Sequence, residues 1–130
     1  MGIAAAAAGI GLSRRLDAER AIFGWALVVA AFWYIGFGLF HGQALSELAP
    51  QLIAGAVFLV LAVLGLTRSI AFTSAGWLLH VFWDYLGPYF GEVATPWWVP
   101  PACLGFDVVV GMYLLARYRG AAPLPEPEPA

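Results

Sequence analysis

The chain has no lysine, a single cysteine and few charges of either sign: six arginines, eight acidic residues and two histidines in 130 residues. Each shortage excludes something. Without lysine there is no amine to form a Schiff base with retinal or pyridoxal phosphate. Cys103 alone makes no intramolecular disulfide, and four-cysteine zinc or iron–sulfur sites are ruled out. A net charge of −2 with no basic patch leaves nothing to neutralise a run of phosphates, so nucleic acid is not an expected partner. Charged residues make up 11% of the chain and hydrophobic ones 62%. A soluble domain is about one quarter charged, so this chain lacks the polar surface to stay dispersed in water.

What is present is long apolar runs. About 20 apolar residues cross a hydrocarbon core, with about 17 as a working minimum. Four segments approach that length: 21–40, 50–66, 70–86 and 101–116. Pro50 suits a first helical turn and opens the second. Arg14, Arg15, Arg20, Arg68, Arg117 and Arg119 all fall on one side of a four-span arrangement. Because arginine marks the cytoplasmic side, the expectation is an all-α, four-helix transmembrane bundle of the inner membrane with both termini cytoplasmic. Residues 1–20 then form a cytoplasmic N-terminal segment, with Ser13 a candidate helix cap, and 21–117 the membrane domain. The proline- and glutamate-rich 118–130 reads as a disordered cytoplasmic tail.

Counting along the spans puts polar residues at depth. His80 lies six residues below the outer end of the third span near Leu86, and Asp107 six below Pro101. At 1.5 Å per residue both sit roughly 9 Å down. Asp84 and Cys103 pair about one turn shallower, and Gly76 and Gly111 about one turn deeper, where small residues let two helices approach. The last two spans are therefore expected to form a close hairpin with His80 opposite Asp107. Asp84, at the negative end of its helix, becomes a second carboxyl facing outer water. His41, Glu47 and Gln51 stand at the same outer end, and Trp97 and Trp98 are expected as the ceiling of an outward-facing pocket. On the cytoplasmic half only Thr67, Ser69, Thr73 and Ser74 stand out.

Ionisable groups within spans are functional candidates, and the same groups also serve as interhelical glue. The leading expectation is an accessory or scaffold component of a membrane complex, ordered by the His80–Asp84–Asp107 cluster. The second is a membrane-embedded enzyme or binding protein for a lipid-like or quinone-like ligand. There His80, Asp84 and Asp107 handle protons, and His41, Trp83, Trp97 and Trp98 line the ligand. The third is a homo-oligomeric transporter or proton channel. His80, Asp84, Cys103 and Asp107 together offer nitrogen, oxygen and sulfur ligands to a metal such as zinc. No cofactor motif is present and none is expected. The bilayer, membrane-protein partners or further copies of the chain are the expected partners.

Overall fold

The computed structural model describes residues 1–90 and 95–120; the expected tail from 121 onward lies outside the described residues. The described chain is all helical: α1 (Gly2–Arg15), α2 (Glu19–Phe40), α3 (Ala49–Thr67), α4 (Ile70–Phe90) and α5 (Val99–Gly120). Helices α2, α3 and α5 are long and apolar enough to cross a membrane. Helix α4 has the length, at 21 residues, but His80, Asp84, Thr73 and Ser74 dilute its hydropathy.

The helices overrun the expected spans. Helix α4 continues through Pro88 to Phe90, and α5 starts two residues before Pro101 and runs to Gly120. The last two are thus longer than their apolar runs, because polar and aromatic flanks extend the same helices. Pro88 has no N–H to give to the carbonyl of Asp84 four residues back, which loosens the ladder just above the polar cluster.

Polarity is distributed inside out relative to a soluble protein. Buried positions include Ser13, Gln51, Thr73, Ser74, His80, Asp84 and Asp107. Outward positions include Trp25, Val29, Ile53, Phe82 and Met112, all more than half exposed. Lipid tails solvate such a surface as well as a protein core does, and this is the make-up of a membrane protein.

The helices pack as two antiparallel hairpins with one addition. Helix α4 lies along α5 and α3, and α2 lies along α3. Gly111 makes the α4–α5 approach possible: a Cβ there would stand 2.7 Å from Leu78 Cγ and 3.3 Å from the Leu78 backbone nitrogen. Ser74 Oγ donates to the Gly111 carbonyl at 2.8 Å in the same contact. Gly76 does not share it and faces Leu27 of α2 instead. At 3.6 residues per turn it sits about 200° round the helix from Ser74, so equal depth did not mean equal face.

The addition is α1. Within the expected N-terminal segment 1–20, α1 packs along α5 and touches α2. Gly2 lies against the Ala102 carbonyl, Ala6 is fully buried with Phe23 and Val110, and Asp17 at φ 50° reverses the chain into α2. An alanine- and glycine-rich face is thin enough to fit between larger neighbours, although its hydropathy is low. Ser13 caps nothing: inside α1, it donates back to the Ile10 carbonyl. At the arginine-bearing end, Arg20 donates to the Gly65 carbonyl at 2.7 Å, and Glu19 bonds Arg117 and the Tyr113 hydroxyl. Those two links tie α2 to α3 and α5.

Replacing Gly111 by valine should cost about 1–3 kcal/mol by overpacking the α4–α5 seam. Gly36, with nothing within 4 Å of a Cβ, should accept alanine with no loss. Thermal unfolding in mild detergent measures both.

Candidate functional site

The α4–α5 seam carries His80 to Asp107, where Nδ1 and Oδ2 are 2.7 Å apart. An Nδ1–H donated to the carboxylate makes this a short, charge-assisted bond. One turn along α4, Asp84 Oδ1 lies 3.5 Å from the same Nδ1. The two carboxylates thus converge on one ring nitrogen. A third helix completes the chain, because the Tyr34 hydroxyl of α2 donates to Asp84 Oδ1 at 2.7 Å. Tyr34, Asp84, His80 and Asp107 form a continuous polar string joining α2, α4 and α5.

The string is sealed. His80 is 2% exposed, Asp84 6% and Asp107 1%. Phe58 of α3 packs 4.8 Å from the imidazole centroid, and Trp77 and Tyr34 lie 6.3 Å from it. Trp77 in turn donates its indole N–H to the Phe23 carbonyl at 3.2 Å, so the aromatic wall is itself held in place. Asp84 Oδ2 is buried and has no hydrogen-bond partner among the described residues, and the same holds for Gln51 Oε1.

The other candidates separate from this core. Asp84 does not face outer water; Pro88 and Gly87 carry α4 a further turn above it and the surrounding helices close over it. His41 is exposed. Gly42, at φ 78°, ends α2 there: Gln43 N–H reaches the Gly38 carbonyl and Gly42 N–H the Leu39 carbonyl. That glycine-terminated cap turns the chain away and leaves the His41 ring edge-on to exposed Phe40. Trp97 is 86% exposed and Trp98 47%, so neither forms a ceiling. Glu47 closes its own loop by accepting from the Ala44 N–H.

Trp83 stacks on Phe90 and lines an apolar groove of ≈ 440 Å³ between α3 and α4, with Pro50, Ile53, Val57 and Leu86. Phe58 stands in the same groove and against His80, so one ring separates the groove from the polar string. The residues whose ligand atoms gather within 4.8 Å of one another are His80, Asp84 and Asp107, without Cys103. Cys103, one turn from Asp107 on α5, is partly buried and interacts electrostatically with Asp84 and Asp107, but it stands outside that group.

Tyr34 is the member of the polar string that the sequence does not single out, as one aromatic among many in its span. The signal was available: it lies six residues below Phe40, the depth already assigned to His80 and Asp107. The Glu19–Arg117 pair joins residues at the ends of the apolar runs, where no count of depth sets one opposite the other. Comparison with protein-family models, curated proteins and solved structures finds no match to this chain.

Replacing Tyr34 by phenylalanine removes the only donor that Asp84 Oδ1 receives from α2 and should destabilise the fold by about 1–3 kcal/mol. A double-mutant cycle with Asp84→Asn, read by unfolding in detergent, should show coupling above about 0.5 kcal/mol.

Proposed function

We propose that this is a four-span inner-membrane protein, with α2 to α5 crossing the bilayer and the arginine-bearing ends on the cytoplasmic side. Helix α1 runs back from Arg14 and Arg15 along α5 and ends inside the bundle wall, at the level of Ala102. Its role is that of an accessory or scaffold component of a membrane complex. The observation that carries this reading is the sealed string Tyr34–Asp84–His80–Asp107, which joins three helices and meets no open pocket among those described. A group that acts on a soluble substrate needs an approach route, whereas a tie between helices needs only mutual contact. Outside the tie, the helices present broad apolar and aromatic faces, such as Val29, Phe32 and Phe40 on α2, to lipid or to neighbouring membrane proteins.

A second reading has one observation in its favour. The α3–α4 groove is apolar, long enough for an acyl or isoprenoid chain, and separated from His80 by the single ring of Phe58. Rotation of that ring would bring a lipid-like ligand to the imidazole, with Asp107 and Asp84 as the proton-handling groups.

Two measurements test these readings. A reporter fused after Arg119 should be active on the cytoplasmic side, and one inserted at Gly42 on the opposite side; the reverse pattern would overturn the topology. Replacing His80 by alanine or Asp107 by asparagine breaks a buried pair and should cost about 3–5 kcal/mol, lowering the steady-state amount in the membrane severalfold. Normal accumulation of both variants would reject the tie and move the cluster to the ligand-handling reading.

A further inference from the structure

We infer that His80, Asp84 and Asp107 form a binding site for one divalent transition-metal ion, with Tyr34 as the outer partner that orients Asp84. The inference rests on the reading of the cluster as the tie between helices, and makes a cation the centre of that tie.

Three observations carry it. The first is convergence: His80 Nδ1 lies 2.7 Å from Asp107 Oδ2 and 3.5 Å from Asp84 Oδ1. One ligand atom from each of the three residues lies within 4.8 Å of the others, and ligand bonds of about 2.0–2.2 Å, which hold neighbouring donors roughly 3 Å apart, would draw them together by a small side-chain adjustment. The second is Asp84 Oδ2, an oxygen buried in the cluster with no partner among the described residues. A carboxylate that accepts from Tyr34 on one oxygen and from nothing on the other has an open coordinating lone pair where water is excluded. The third is charge. Two ionised carboxylates beside a neutral imidazole would carry −2 in a dry cluster, so a divalent ion can take the place of the protons that otherwise neutralise them.

Binding requires the proton on Nδ1 to leave that atom for Nε2, so that the neutral imidazole ligates through Nδ1. Nothing is oxidised or reduced, and any proton that the cluster holds on a carboxylate or on the imidazole Nδ1 must leave as the ion enters. The donor set of one imidazole and two carboxylates suits zinc, manganese or iron(II). Magnesium, which holds its waters and demands six oxygen donors, fits poorly. Tyr34 holds Asp84 as outer-shell carboxylates hold metal-bound histidines, and the rings of Phe58 and Trp77 keep the surroundings dry. Cys103 has no place in this set.

The test uses the full chain purified in mild detergent, stripped with a chelator and then equilibrated with Zn²⁺, Mn²⁺ or Mg²⁺ alone. Elemental analysis should find about one Zn²⁺ or Mn²⁺ per chain and no retained Mg²⁺. The thermal midpoint should rise with free Zn²⁺, as a ligand of the folded state requires. Asp84→Asn should bind at least tenfold more weakly, Tyr34→Phe about tenfold more weakly, and Cys103→Ser as the wild type does. Wild type that retains no more metal than Asp84→Asn, or shows no shift in midpoint, overturns the site. So does loss of metal in Cys103→Ser with Asp84→Asn unaffected. These readings are made on wild type and mild variants, so they stand whether or not His80→Ala accumulates. A metal-free wild type with an unstable His80→Ala would keep the tie and reject the cation.

Discussion

An imidazole and a carboxylate at 2.7 Å, with 1–2% of each exposed, impose strict demands on everything around them. In hydrocarbon neither group tolerates separation, because an uncompensated polar atom there costs several kcal/mol. The contact therefore sets the register of α4 against α5 to within a fraction of a turn: a slide of one residue, about 1.5 Å, already breaks it. Apolar seams between membrane helices permit many registers of similar energy, since lipid is as good a partner as leucine. The polar pair selects one of them. Gly111 and Ser74 then fix how closely the two helices approach, and the chain through Asp84 to Tyr34 passes the constraint to α2.

The two ends of the bundle are held by different physics. At the arginine-bearing end, the Arg20–Gly65 contact and the Glu19–Arg117–Tyr113 group sit at helix termini, where carbonyl and carboxylate partners are close by and water is near. Such contacts exchange readily with water and fix orientation more than stability. The string in the opposite half has no water to fall back on. Its members must be satisfied by one another, and where they are not, as at Asp84 Oδ2, the remaining valence is a demand for something else. The asymmetry follows from where the arginines sit, since they satisfy the near end and leave none for the far half.

Much of this was legible in the sequence, for identifiable reasons. The apolar runs located the helices α2 to α5, three of them long and apolar enough to cross a membrane, and depth counting found His80 opposite Asp107 because 1.5 Å per residue is a rigid ruler. The same ruler reaches Tyr34, and only its aromatic neighbours hid it. Facing was less legible than depth: Gly76 was at the right level on the wrong side of α4, and Trp97 and Trp98 were near the site's end of the bundle with their rings turned outward. Helix α1 was illegible by hydropathy, since its alanines and glycines contribute thinness more than apolar area. Its place is set by a groove along α5 that no single sequence segment displays.

Thinness is also what lets a short chain enclose so polar a cluster. The wall around His80 is built from bulky rings, Tyr34, Phe58 and Trp77, each contributed by a different helix or a different turn. Large rings close a space only if the backbones bearing them come near, and small residues elsewhere permit that: Gly111 and Ser74 between α4 and α5, Ala31 and Ala54 beside Phe58. Where backbones approach, side chains are small; where side chains are large, they meet over the imidazole. A valine at Gly111 would therefore act at two levels, first by spreading the seam, and then by lengthening the His80–Asp107 contact one turn above it. Stability and the chemistry of the cluster are one geometric property of this bundle, and a substitution at the seam cannot alter the first without reaching the second.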